Sequence, residues 1–398
     1  MCRTDSPRRS TSFAKPSFMA LSRPYRALHV PLPLCVLAAA FIALALTPAA
    51  RANVILVPED VAWIAEALQL AGPGDTISVA PGTYMESLVW PPVQGIKLLS
   101  RVPRAATIIP PIETPVISIT TPMDQTTVVD GFVLQSGWGS YGGGILCQQA
   151  SPTISNNHLL ENRASNLGGG IACVEASPVI TGNRIETSSA QLGGGLYWDS
   201  ISSPIVVADT IVACTADQGS GIYALGGGEI RSCVVEGNLG AGAGIHASGF
   251  ATIEGSRIET NSARGIYCEY AVTIRGNELR GNAQGGIYVA SGSTALIEGN
   301  LIENHVAGDG AGIFSMESHA TIRRNTIRDN DSRGGLAGGI YIHGGAPLIE
   351  YNQITGNNTN YEASGIYCCM DSTTLRGNNI SYNICDQTRP VVGSGLFI

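Results

Sequence analysis

Charge is scarce in this sequence. Lys, Arg, Asp and Glu make up 14% of its 398 residues, against roughly 25% in an ordinary globular domain. Lysine is almost missing, with only Lys15 and Lys97 present. Aromatic residues are 6% of the chain, yet 44% of it is hydrophobic, which is too apolar for a disordered chain. No apolar run approaches the ~18 residues of a membrane-spanning helix. No Cys-x-x-Cys pair and no Cys/His cluster with zinc spacing occurs, so neither a metal nor a cofactor is expected. Glycine, in contrast, is abundant at 49 residues. That content argues against a helical bundle, and the lack of a Gly-X-Y period excludes collagen.

The N-terminus reads as an address. Arg23 and Arg26 precede an apolar run of 13 residues, Leu34 to Leu46, and Ala50-Arg51-Ala52 offers a small-x-small cleavage site before Asn53. That is the layout of a basic leader and secretory signal peptide over residues 1–52. The expected location is therefore secreted, periplasmic or cell-surface. Beyond residue 52 the chain holds 16 basic and 30 acidic residues, a net charge of −14. Such a chain repels polyanions at long range, so nucleic acid is not an expected partner.

What fills the chain is a repeat. Gly-small-Gly-aliphatic recurs as Gly142-Gly-Gly-Ile145, Gly168-Gly-Gly-Ile171, Gly193-Gly-Gly-Leu196, Gly219-Ser-Gly-Ile222 and onward to Gly393-Ser-Gly-Leu396. Successive aliphatics are 21 to 30 residues apart over ten steps. Between them lies Ile-x-x-Asn-x-Ile-x-x-Asn, clearest at Ile322, Asn325, Ile327 and Asn330. The segments alternate apolar and polar residues over two to four positions, which is strand periodicity. A unit this small cannot bury its own apolar face, but stacked coils can cover one another. Asn is expected to turn the chain and to hydrogen-bond along the stack, with Gly before the aliphatic as the other corner.

These motifs resemble the right-handed parallel β-helix of the pectate-lyase-like superfamily, over roughly residues 75–398. The expected fold is all-β, a single-stranded solenoid of about ten or more coils. Val61, Ile64, Ala65 and Leu68 fall on one face of a short helix. Gly72-Pro-Gly-Asp75 through Tyr84-x-Glu86 then looks like the helix-capped entry of that superfamily. This divides the chain into the leader, a cap with the first coil over residues 53–100, and the β-helix over residues 101–398. The chain stops at Gly395-Leu396-Phe397-Ile398, in the opening strand of a new coil. The expectation is either a piece of a longer protein or an open coil edge that contacts a partner.

Equal slots on stacked coils form columns. The slot after the motif aliphatic, expected to point outward, holds aromatics in eight of eleven repeats, including Tyr197, Tyr223, Tyr267, Tyr288, Phe314, Tyr341 and Tyr367. Two readings stay open, mutual ring stacking or a platform that binds sugar rings. A second column alternates sign: Arg231, Glu254, Arg275, Glu298, Arg323, Glu350, Arg376. It is expected to hold register and to neutralise its face. A third slot sets Cys147 beside Cys173, expected as buried thiols, with a disulfide as the alternative.

The superfamily's catalytic signatures are absent. None of its polygalacturonase-like, pectate-lyase-like or epimerase motifs occurs, so no catalytic residue is carried over. The residues themselves offer two weak candidate groups: Glu236 with Glu259, one coil apart, and His246 with Tyr267 and Glu269. The sequence therefore points to an exported scaffold that binds carbohydrate or a cell-surface partner without catalysis. The alternative is a polysaccharide lyase or glycoside hydrolase of an unrecognised subfamily.

Overall fold

A computed structural model describes residues 52–370, 372–385 and 394–398. The expected leader lies outside the described residues, apart from Ala52. Among the described residues no helix is long and apolar enough to cross a membrane.

One coil illustrates the rest. Thr153–Ser155, His158–Leu160 and Ile171–Val174 form strands on three successive faces, and Val179–Thr181 opens the next coil. Each strand pairs in parallel with its counterpart one coil away, as in the run Ile154, Ile180, Val206, Ile230. The result is three parallel sheets of 14, 13 and 13 strands, a right-handed solenoid of about 13 turns. The one helix among the described residues, α1 (Ile64–Leu70), caps the N-terminal end with Ile64, Ala67 and Leu68 buried. Glu86 ties it down by accepting from the Ile64 and Ala65 N–H groups at 3.0 and 2.8 Å.

The core is a stack of aliphatic side chains. Ile154, Ile180, Ile253, Ile274, Ile297 and Ile322 are fully buried on the first sheet. Each such side chain contributes about 1.5–3 kcal/mol of burial. The cysteine slot also faces inward: Cys147, Cys173, Cys268 and Cys368 are buried. Cys147 and Cys173 are direct register partners, but both thiols are free. Burial pushes the Cys147 thiol up to about 12.

The corners differ from the sequence expectation. The residue before each ladder Asn takes the left-handed conformation, as Arg324, Tyr351 and Gly276 do at φ of 54°, 55° and 61°. The Asn itself is buried and bonds along the stack. Asn277 donates its backbone N–H and its Nδ2 to Oδ1 of Asn300, at 2.9 and 3.0 Å, and Nδ2 also reaches the Ile253 carbonyl at 2.9 Å. Asn300 repeats the pattern on Asn325, and Asn325 on Asn352. The glycine before each aliphatic is required by close approach. A Cβ on Gly170 would meet Ile185 Cγ2 at 2.6 Å and the Gly195 carbonyl of the next coil at 2.7 Å.

The alternating column holds its register through strand pairing from Arg231 to Arg376. Glu298 is its centre, bonded by Arg323 Nε and Arg324 Nη1 at 2.9 Å each, which holds its carboxyl below the usual range. At the other end the ladder fails. Arg231 turns to Glu229 of its own strand at 2.7 Å rather than to Glu254.

Candidate functional site

The coils are not equal in length, and the difference shapes the surface. Long coils carry a short fourth segment between the second and third sheets, such as Trp138–Tyr141 and Arg163–Leu167, which pair with each other. Bridges extend this ladder through Ser189 and Thr215 to Leu239. The next two aliphatic steps, Ile245 to Ile266 to Ile287, span only 21 residues each. The fourth segment shrinks to Ser262-Ala263-Arg264, and a cleft of about 410 Å³ opens beside it.

His246, Arg264, Tyr267, Glu269 and Asp217 line this cleft. Asp217 also lines a neighbouring cleft of about 480 Å³ with Trp138, Arg163 and Gln191. From the Trp138 coil to the Gln284 coil is six coil steps, about 29 Å at ~4.8 Å per step. The lining is polar and balanced in charge: Arg163 and Arg264 against Asp217 and Glu269.

Tyr267 donates its hydroxyl to Glu269 Oε1 at 3.1 Å. Burial, with the Glu269 carboxylate close by, pushes that phenol up to about 12. Burial lowers the His246 imidazole to about 4, so the ring is neutral near pH 7. Its centroid lies 4.7 Å from that of Tyr267. Arg264 lays its guanidinium over the Tyr288 ring at 4.7 Å and the Phe314 ring at 5.6 Å. Its Nη1 is buried without a hydrogen-bond partner, and burial lowers its pKa. The aromatic column and the cleft are therefore one assembly, joined by Arg264.

The column rings stack on each other. Tyr267 and Tyr288 lie 5.0 Å apart at 6°, Tyr288 and Phe314 5.1 Å at 5°, and Tyr341 and Tyr367 5.4 Å at 6°. Tyr197 and Tyr223 stack at 5.9 Å and 4°. The column keeps the phase opposite to the core residues beside it, but Tyr197, Tyr223 and Tyr341 are buried there among their neighbours. A sugar ring would need a ring face, and along the column those faces are covered by neighbouring rings.

The structure brings His246, Tyr267 and Glu269 together and leaves Glu236 with Glu259 elsewhere. Glu236 and Glu259 are register partners on the second sheet, and Arg257 engages Glu259 at 2.8 Å. Sequence reasoning missed Arg264, Asp217 and Trp138. Arg264 had a legible signal. Its slot, two before the motif aliphatic, holds Gly143, Gly169, Ser220 and Ala243 in other coils. It is the one large side chain in a column of small ones.

A coil of parallel strands with a lateral groove defines the class, a right-handed parallel β-solenoid. The family model "Right handed beta helix region" matches residues 124–258 and 265–398, and the chain belongs to that family. Residues 208–311 also match a model described as "Periplasmic copper-binding protein (NosD)". Within that stretch Cys214, Cys233, Cys268 and His305 are buried. Among the described residues no three His, Cys, Asp or Glu side chains are grouped to hold a metal ion, so the matched stretch does not itself fit a copper centre. Among solved structures, a PL6 alginate lyase in complex with a trisaccharide is similar at a TM-score of 0.52 and 12% identity, covering 83% of this chain and 86% of that one. The Streptococcus pneumoniae surface adhesin PfbA gives 0.42 and 12%, covering 82% and 87%. No curated protein matches. At such identities the likeness shows the fold alone.

Proposed function

We propose that this protein is an exported β-helix that binds a carbohydrate chain of little net charge in the groove from Trp138 to Gln284, without cleaving it. The observation that carries this reading is the shape and charge of the groove. It runs along the solenoid axis, as an extended polymer requires, and its two arginines are matched by two carboxylates. Trp138 is 37% exposed and stands outside the stacked column, in the lining of the cleft, where its indole offers a sugar ring an aromatic surface. The column tyrosines contribute edges and rigidity. The description of the partly matching family as periplasmic agrees with export. A sugar-bound structure in this fold, the alginate lyase complex, supports a glycan as the partner class.

A second reading rests on one observation, a neutral imidazole beside a Tyr–Glu pair in the same cleft. Such a set could move a proton in glycan cleavage. One experiment separates the two. Neutral and acidic glycan arrays are probed with the purified protein, and the bound glycans are then incubated with it and sized. Retention of intact neutral glycans supports the binding reading. Shortened products favour the second. Binding of polyuronates alone would defeat the charge argument.

A further inference from the structure

Arginine is paired almost everywhere on this protein, and the exceptions are in the groove. Arg101, Arg184 and Arg257 each engage a carboxylate, as do the arginines of the charge ladders, and Arg104 donates to two backbone carbonyls. Among the described residues only Arg163 and Arg264 have a guanidinium with neither a hydrogen bond nor an ion pair. Both line the groove. Arg163 is the register partner of Trp138, one coil on. Arg264 follows four coil steps later, about 19 Å along the axis at ~4.8 Å per step. Asp217 and Glu269 share the lining, so charge is matched in number, yet neither carboxylate closes on a guanidinium.

A guanidinium has only donors, set in a planar fork. In Arg264, Nη1 is buried and the group lies over the Tyr288 and Phe314 rings, which leaves its other nitrogens for the cleft. What the groove lacks is therefore an acceptor, and a planar carbonyl or carboxylate oxygen fits the fork. Two observations favour the carbonyl of an acyl group. Beyond residue 52 the chain carries 16 basic and 30 acidic residues, a net charge of −14, which repels a polyanion. The groove between the arginines is also lined by methyl groups. Ala164, Ala190 and Ala216 occupy equal slots one coil apart, an apolar surface that suits the methyl end of an acetyl group. Asp217 and Glu269 would accept from an amide N–H beside it.

We propose that Arg163 and Arg264 read acetyl groups on the bound glycan. The groove then prefers a neutral polysaccharide carrying acetyl substituents, as acetamides or as acetate esters, over the same kind of chain without them. The inference rests on the groove being the glycan-binding surface, and it adds which chemical group the surface selects. Trp138 supplies contact with the sugar ring, and the arginines supply the selection. An unacetylated chain forgoes the carbonyl oxygens and leaves the two forks to water.

Calorimetry on the whole purified protein tests this with matched neutral probes. The hexamer of N-acetylglucosamine is compared with cellohexaose, and acetylated xylan fragments with the same fragments after mild deacetylation. In at least one pair the acetylated member should bind about tenfold tighter, as one hydrogen bond to a charged group supplies, and the pair that responds tells acetamide from ester. Arg264→Met, which keeps an apolar cover on the rings, and Arg264→Lys, which keeps the charge without the fork, should remove that preference and spare the affinity for the bare partner. Arg163→Gln repeats the test at an exposed side chain, where no ring packing is disturbed. Trp138→Ala should weaken both members of a pair alike. Equal affinity for acetylated and bare chains overturns the acetyl reading and leaves the groove reading standing. A preference that survives in both the Arg264 and the Arg163 variants overturns the assignment to these arginines. Binding that ignores Trp138→Ala, or binding of polyuronates alone, defeats the groove reading and this inference with it.

Discussion

Asn183 donates twice to one oxygen of Asp209, through its backbone N–H at 2.7 Å and its Nδ2 at 2.9 Å. Asp209 occupies an Asn slot of the ladder, and its other oxygen, Oδ2, is buried without a partner. Burial raises this carboxyl from its usual 3.8 to about 7, with the Cys233 thiol as the next group in the column. The protonated form is thus favoured in the folded state. Its stabilisation is complete below pH 3.8 and is lost as the pH rises through about 7. Asp209→Asn should stabilise the protein by about 2–4 kcal/mol at pH 8 and hardly at all at pH 4. Urea midpoints across that range check it, and a gain that is equal at both ends would contradict the linkage.

His305 interrupts the second ladder with the opposite sign. Its Nδ1 accepts the Asn282 N–H at 3.0 Å, its own N–H donates to Asn330 Oδ1 at 3.1 Å, and Nε2 is buried without a partner. Burial lowers the imidazole from its usual 6.5 to about 4. This contribution is present above pH 6.5 and is lost as the pH falls toward 4. His305→Asn should flatten the acid limb of the stability profile between those values. Thermal melts at closely spaced pH would show a persisting slope if the histidine is not its source.

Arg275 stands between Glu254 and Glu298, 3.9 Å from each. Arg275→Glu places three carboxylates in succession on one face. A loss of about 1 kcal/mol is expected, shrinking in high salt because these side chains are partly exposed. A penalty that does not respond to salt would indicate a packing cause instead.

Glycines divide into two kinds. Gly276 has a φ of 61° with open space around its absent Cβ, whereas Gly170 has backbone and Ile185 in the way. Gly276→Ala should cost about 1 kcal/mol of left-handed strain. Gly170→Ala should cost about 1–3 kcal/mol or more, because a neighbouring coil must shift. Chemical denaturation of the two variants under identical conditions ranks them, and the reverse order would refute the close-approach account.

In the groove, Trp138→Ala should weaken glycan binding about tenfold, as loss of a stacking contact of roughly 1–1.5 kcal/mol implies. Tyr367→Ala should act mainly on stability, because its ring is stacked between Tyr341 and Phe397. Calorimetry with a glycan from the array and a melt on each variant separate the two effects. Equal loss of affinity in both would restore the column as the binding surface.

The solenoid was legible because its determinants are local and repeated. Ile154, Ile180 and their counterparts recur at coil spacing and alternate with polar residues, so strand type, inward face and stacking follow from the string of letters. The charge column read correctly from Arg275 to Arg376 for the same reason. It misread Arg231, because a register position does not say which of two nearby carboxylates a long side chain will choose.

The sequence by itself determined the coil, its repeat, the buried Asn ladders and the column of rings. Each needs only that equal slots stack. Tertiary structure decided which rings have free faces, how the shortened coils open a cleft at Arg264, and that His246, Tyr267 and Glu269 share it while Glu236 and Glu259 lie on another sheet. Those facts depend on how much chain each coil spends outside its three strands. That excess is not periodic, so a repeat pattern cannot report it.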